Sequence, residues 1–167
     1  MILLFSVDNN WNVGYKGDVL YKISEDLKRF RRLTTGNIVV MGRKTFDSLP
    51  DSKALSNREN IVITRNKDFN PPNTIVVNSI TELFDILKQM NPNNEKEVFM
   101  IGGGNIANQV ISSCHKAYIT KIFKSFENTD ASLHNLDKDD KWEIYKESDI
   151  YTDGDIKYQY VNYKRKE

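Results

Sequence analysis

Five stretches of this chain are apolar at nearly every position: MILLFSV at residues 1–7, IVVM at 38–41, NIVIT at 60–64, TIVV at 74–77 and EVFMI at 97–101. A strand of that kind is buried on both faces, which a parallel sheet covered by helices on either side provides. Helical patterns fall between them, at residues 23–34, 79–90 and 105–113, with a short turn after residue 42 ended by Pro50. The segment 79–90 is the plainest: Ser79 caps it, Glu82 completes a capping box, and Ile80, Leu83, Phe84 and Leu87 form its stripe. KAYITKIF at 116–123 reads as a further strand, and residues 142–148 and 157–163 alternate as a terminal antiparallel hairpin does. Strand and helix in alternation predict an α/β architecture with a mostly parallel central sheet. The 167 residues carry no repeat, low-complexity run or linker, so one domain over residues 1–167 is expected. A chain of that size buries about 70% of its unfolded surface.

Composition narrows the class of function. The 24 basic and 23 acidic residues leave a net charge of +1, which offers no bulk attraction to nucleic acid or membrane. Cys114 is the only cysteine, so no intrachain disulfide forms and a reducing compartment fits. His115 and His134 provide no zinc-type ligand spacing, and no metal site is expected. MILLFSVDNN has no basic region before its apolar run and no cleavage-like site, so it reads as a first strand and not a signal peptide. No run reaches the length of a membrane span. The expected location is the cytoplasm.

One charge is misplaced. Residues 23–34 read as a helix capped by Ser24, turning about 100° per residue. On that wheel Ile23, Leu27, Phe30, Leu33 and Thr34 share an arc of roughly 120°. Glu25, Lys28, Arg29, Arg31 and Arg32 fall outside it; Asp26 falls inside. A carboxylate on a core-facing stripe costs several kcal/mol unless something is bound or bonded there. The plainer alternative is that Asp26, in the first turn, complements the helix N-terminus.

Three strand ends carry anion-binding chemistry, and ligands of open α/β sheets lie beyond the carboxyl ends of the strands. Ile101-Gly102-Gly103-Gly104 runs into a helix, so bare backbone amides can face a phosphate; a tight turn is the alternative. Gly42-Arg43-Lys44-Thr45 adds two cations and a hydroxyl, and Thr64-Arg65 another hydroxyl and guanidinium. Each alone is equally a solvated strand end. Three on one sheet edge point to a ligand with several phosphates, such as a phosphorylated dinucleotide. Neither GxGxxG nor GxxxxGK followed by Ser or Thr occurs.

The chain as a whole resembles the dihydrofolate reductase family, in the family's order: Val13-Gly14, the acid within SEDLKRF, VVMGRKTF, SNRENIVITR, FMIGGG and YITKI. The resemblance implies a single α/β domain with an eight-stranded, mostly parallel sheet, a C-terminal antiparallel strand and helices on both faces. It also implies NADPH-dependent reduction of 7,8-dihydrofolate to tetrahydrofolate, which supports one-carbon metabolism, in a monomer that also binds antifolates. By the same resemblance Asp26 receives the pterin's 2-amino group and N3–H, Thr120 bonds that carboxylate, and Tyr21 holds a water. Leu4, Ser6, Leu27, Phe30, Leu49, Leu55 and Ile101 line the substrate pocket, and Arg58 clamps the glutamate carboxylate. For the cofactor, Gly103, Gly104, Asn105 and Ile106 face the pyrophosphate, with Lys44 and Thr45 helping, and Gly42, Ser48 and Gly102 also contact the cofactor. Arg43, Thr64 and Arg65 face the 2′-phosphate, while Ser6, Val13, Gly14, Val19, Leu20 and Ile101 surround the nicotinamide. A cis peptide is implied at Gly102–Gly103.

The chain departs from the family pattern at several positions. Leu20-Tyr21 stands for Pro-Trp, Ala107 for a common Tyr, Ser6 for the usual Ala, and Ala131 for the usual Thr. Ile38, Ala54 and Ser56 fall at habitual prolines, which leaves those loops less stiff. Two other readings share the fold: the pyrimidine reductase of riboflavin synthesis, and a non-catalytic nucleotide-binding paralogue. The first needs a ribose-phosphate site and does not resemble this chain at Asp26 or Arg58.

Overall fold

The computed structural model describes residues 1–167. Its strands are β1 (Ile2–Val7), β2 (Asn12–Gly14), β3 (Ile38–Gly42), β4 (Glu59–Ile63), β5 (Ile75–Val77), β6 (Val98–Gly102), β7 (Lys116–Ile122), β8 (Ala131–Ser132), β9 (Trp142–Asp153) and β10 (Ile156–Arg165). Its helices are α1 (Ser24–Thr34), α2 (Arg43–Ser48), α3 (Ile80–Met90) and α4 (Gly104–Val110). Eight strands form one sheet in the order β5-β4-β3-β6-β1-β7-β10-β9. From β5 to β7 every neighbouring pair is parallel, whereas β10 is antiparallel to both β7 and β9. Thus β10 alone runs against the rest, as expected for the C-terminal strand.

The continuous apolar runs divide cleanly between two faces, because successive side chains of a strand point to opposite sides. Leu3, Phe5, Val7, Ile38, Val40, Ile61 and Met100 pack with Leu83 of α3 and with Ala107 and Val110 of α4. Ile2, Leu4, Val39, Met41, Val62 and Phe99 pack with Phe46 of α2 and with Phe30 and Leu33 of α1. Ser6 continues the second set, so its hydroxyl points towards α1. No helix is long and apolar enough to cross a membrane.

Four details differ from the sequence reading. Ser24 is the first residue of α1 and not its cap; Ile23 holds the cap position with extended backbone and no capping side chain. Burying Ile23, 2% exposed, against Ile122, Ile156 and Tyr158 takes precedence over a polar cap. The last helix ends at Val110, and a 3₁₀ turn covers Ile111–Ser113. The hairpin strands are longer than the alternation shows, since exposed edge strand β9 has polar residues on both faces. Finally, the polar loop at residues 8–22 contains β2, which pairs with β8 in a separate two-stranded sheet.

That second sheet is tethered by Asp8, which is 3% exposed. Its Oδ1 accepts from the backbone N–H groups of Asn10 and Asn12, both at 2.9 Å. Its Oδ2 accepts from Asn12 Nδ2 and from the Phe126 N–H, each at 3.2 Å. One carboxylate therefore fastens the loop after β1 to the loop after β7. Replacing it leaves buried donors without acceptors, each a penalty of about 1–3 kcal/mol. Asp8→Ala should lower unfolding stability by about 3 kcal/mol, and Asp8→Asn by less, in urea titrations. An Ala variant with an unchanged midpoint would mean that solvent replaces these bonds without cost.

Candidate active site

Strand register builds the floor of the site. Ser6 of β1 lies opposite Thr120 of β7, and Thr120 lies opposite Tyr160 of β10. Neighbours in register point to the same face, so two hydroxyls and a phenol form a row beneath α1. Asp26, in the first turn of α1, descends onto that row. Ser6 Oγ donates to its Oδ2 at 2.8 Å, and Thr120 Oγ1 donates to its Oδ1 at 2.7 Å. Each carboxylate oxygen is thus held by one hydroxyl, and two of the roughly four lone-pair sites remain for a ligand.

Above this floor is a cavity of about 530 Å³ bounded by α1, α2 from Thr45 onward and the turn after it, the ends of β1 and β6, and the loop after β2. It brings together Leu4, Ser6, Val13, Gly14, Val19, Asp26, Leu27, Phe30, Thr45, Ser48, Leu49, Ile101, Gly102, Gly103, Gly104 and Thr120. Leu27 is 53% exposed although it belongs to the apolar stripe of α1, because it faces this cavity and not the core. The Gly102–Gly103 peptide is cis. A Cβ added at Gly103 would meet only Thr45 Oγ1, at 4.0 Å, so bare backbone forms this part of the wall.

Other residues singled out in the sequence lie outside the cavity wall. Tyr21 packs on the cluster of Ile23, Ile122, Ile156 and Tyr158, so the structure gives it no place beside Asp26. Leu55 packs beside Phe30, Leu33 and Leu49 on the α1 face. Arg58 sits past the far end of α1, where its Nη1 donates to Thr34 Oγ1 at 3.1 Å and its Nε to the Ser56 carbonyl at 2.8 Å. Burial, and then the Arg31 charge, pull the Arg58 guanidinium below its ordinary pKa. Arg43 pairs with Asp47 at 3.1 Å and stacks over Phe69 at 3.8 Å, while Arg65 is exposed and Thr64 half-buried at the neighbouring strand end. Gly42, Lys44, Asn105 and Ile106 lie just behind the wall, with Ile106 in the core and Lys44 and Asn105 exposed.

Several lining residues have no site role in the sequence reading: Phe5, Lys22, Arg29, Pro50, Asp130 and Ala131, while Gly17 and Asp18 lie in the loop expected to close over the nicotinamide. Asp18 pairs with Lys22 at 3.5 Å, and Asp130 accepts from the Lys16 N–H at 2.9 Å. Both acids beside Asp26 are therefore engaged in loop structure. Asp130 also donates its N–H to the Gly14 carbonyl at 3.0 Å, which pins the loop over the cavity mouth. Gly17, at φ +84°, lies against the Lys44 carbonyl, which a Cβ would approach to 2.7 Å. The i,i+3 spacing of Asp26 and Arg29 was the available signal for Arg29. Asp130 and Ala131 are brought in by the β2–β8 pairing, which short polar segments do not announce.

The fold and the site define an open α/β protein with one cleft: an apolar slot floored by an anchored carboxylate, continuing to a bare glycine turn. A family profile described as dihydrofolate reductase matches residues 1–165. A dihydrofolate reductase from Aedes albopictus is 32% identical, over 98% of this chain and 96% of that protein. One from Bacillus subtilis is 29% identical, over 98% and 93%. The solved dihydrofolate reductase from Enterococcus faecalis complexed with NADP(H) and RAB-propyl superposes with a TM-score of 0.83 at 26% identity, covering 99% of this chain and 96% of that one. The chain belongs to the dihydrofolate reductase family.

The glycine turn is also a joint. A Cβ on Gly104 would collide with the Ser132 carbonyl and lie 3.0 Å from Val13 Cγ2, whereas one on Gly42 meets only the flexible end of the Ile106 side chain, at 2.7 Å. Gly104→Ala should therefore cost about 2 kcal/mol by overpacking, against under about 1 kcal/mol for Gly42→Ala. Urea midpoints of the two variants decide this. Equal midpoints would show that α4 and β8 are not closely fastened.

Proposed function

We propose that this chain reduces 7,8-dihydrofolate to 5,6,7,8-tetrahydrofolate with NADPH, hydride going to C6 and a proton to N5. The observation that carries the reading is the Asp26 carboxylate, gripped on both oxygens and open to an apolar cavity. A pteridine offers it a 2-amino group and N3–H side by side, which fit the remaining acceptor sites of one carboxylate. Leu4, Leu27, Phe30, Leu49 and Ile101 supply apolar contact to the flat ring, and Ser6 and Thr120 keep Asp26 from turning away. Beyond the cavity, with Leu55 on the way, Arg58 is free to meet a carboxylate at the tail of the substrate.

The residues present also fit the cofactor. The backbone at Gly103 and Gly104, with Thr45, Ser48, Gly42, Lys44, Asn105 and Ile106 around it, would hold the pyrophosphate. Arg43, Thr64 and Arg65 would take the 2′-phosphate, with Phe69 already stacking the Arg43 guanidinium. Ser6, Val13, Gly14, Val19, Leu20, Ile101 and Gly102 would surround the nicotinamide, which supplies the hydride when bound. The loop pinned by Asp130 excludes water from that end of the cavity. Balanced charge and the single cysteine support a cytoplasmic protein with no nucleic-acid or membrane partner, and the family resemblance alone supports a monomer. The same-fold pyrimidine reductase is less well supported, since Asp26 and Arg58 have no task in it.

Oxidation of NADPH that depends on dihydrofolate tests the proposal, and Asp26→Asn tests the carboxylate. At neutral pH its turnover should fall by about 10²–10⁴, the span of a proton-transfer group. The loss should shrink as pH falls, because substrate already protonated in solution needs less help. NADPH affinity should stay near that of the parent. An Asn variant with the parent's neutral-pH rate would reduce Asp26 to a helix-terminus charge.

A further inference from the structure

A second cavity, of about 460 Å³, is separated from the first by β8: Ala131 lines that cavity and Ser132 this one. Its deepest lining is apolar, with Leu133 and Trp142 only 3% and 4% exposed. Arg165 of β10 forms part of the wall, and register sets it opposite Trp142 of β9. Its guanidinium lies over the indole, Cζ 4.5 Å from the ring centre. Nε donates to the Cys114 carbonyl at 2.7 Å, and Nη2 to the Ile111 carbonyl at 2.6 Å. Two carbonyls and a ring thus fix the plane of this half-buried cation, and they use only the edge formed by Nε and Nη2. The end edge, Nη1 with the second N–H of Nη2, has no protein acceptor, and Nη1 is open to solvent. That edge is the fork with which arginine holds a carboxylate or a phosphate by two parallel bonds.

No acid of the chain answers this fork. Neither Arg165 nor Lys141, which also lines the cavity, forms an ion pair, so two positive charges stand there without a counterion. The one acid in the wall, Asp139, is already engaged: Oδ2 lies 2.8 Å from His134 Nε2, and Oδ1 accepts the Lys141 N–H at 2.9 Å. Ser132 engages Asn108 through its carbonyl, at 3.0 Å, and its hydroxyl has no protein partner; nor has that of Ser112. We propose that this cavity is a second binding site, which takes the phosphate group of a small phosphomonoester. The Arg165 fork would hold two oxygens, while Lys141 and the two serine hydroxyls supply donors for the third. Two unanswered charges match a phosphate dianion, whereas a carboxylate brings one charge and no third oxygen. The volume is that of a small-molecule site, about 300–1,000 Å³, and Ile111 and Leu133 offer apolar contact to the organic part. The site shares no residue with the strand ends at Arg43, Lys44 and Arg65, and it stands whether or not the chain reduces dihydrofolate.

The probe is phenyl phosphate, titrated into the full chain at constant ionic strength and about pH 7.5, where a phosphomonoester is mostly the dianion. Backbone and indole N–H signals followed by NMR tell this cavity apart from the strand ends. Signals of Ser112, Ser132, His134 and Lys141 and the Trp142 indole should shift together and saturate, with a midpoint of about 1 mM or below. Lys141 is exposed, so Lys141→Gln leaves the Arg165 fork in place. It should weaken binding by about tenfold, and Arg165→Gln by more. Benzoate, with the same ring and a single charge, should bind at least about tenfold more weakly than phenyl phosphate. Should Arg165→Gln fail to fold, the parent and Lys141→Gln titrations decide. Shifts confined to Arg43, Lys44 and Gly104, shifts that never saturate, or a parent midpoint in Lys141→Gln would overturn the proposal. Benzoate bound as tightly as phenyl phosphate would overturn the choice of a dianion.

Discussion

Everything in this molecule that bears on its chemistry depends on two short hydrogen bonds, from Ser6 and Thr120 to the two oxygens of Asp26. They require β1 and β7 to be in register, α1 to lie across both, and its first turn to point inward. The register follows from burying Ile2 and Leu4 on one face and Leu3, Phe5 and Val7 on the other: a shift by one residue would exchange every side chain between faces. The hydrophobic sorting of the sheet is therefore also what aims the hydroxyls. A charge placed on an apolar stripe is costly in isolation, and here two donors offset part of that cost while leaving acceptor capacity unused.

The glycine turn at the end of β6 depends on the same sheet. Beside it, β2 and β8 form a roof whose position is set by Asp8 at one end and by close contact between Gly104 and Ser132 at the other. The glycine turn, cavity mouth and carboxylate floor thus belong to one packed unit. Among the departures from the family pattern, Ser6 gains a definite task, because the usual alanine could not donate to Asp26. Ala107 is fully buried in the core beside Val110, so the smaller residue is packed and not exposed to the cavity.

The main sheet was legible because doubly buried strands write continuous apolar runs, and because β10 alternates. Asp26 was legible because a helical wheel shows a charge where none belongs, and the glycine turn because three successive glycines end an apolar strand. Other features left weaker marks. Short β2 and β8 pair across more than a hundred residues with no periodicity of their own. Asp8 looks like any loop acid until its four donors are assembled by the fold. Arg29 sat just beyond the apolar arc and read as surface charge; only the register of β7 and β10 reveals Tyr118 and Tyr160 beneath it. Tyr21 stands at a family position, and its packing against Ile23, Ile122, Ile156 and Tyr158 leaves no mark in the sequence.

The central claim is that Asp26 is anchored from below in order to receive a pteridine from above. A crystal structure of the chain with NADPH and folate tests this most directly. The account predicts the pteridine 2-amino nitrogen and N3 within about 2.7–3.2 Å of the Asp26 oxygens, with the Ser6 and Thr120 bonds retained. A pteridine bound elsewhere, with Asp26 still facing only its two hydroxyls, would contradict it.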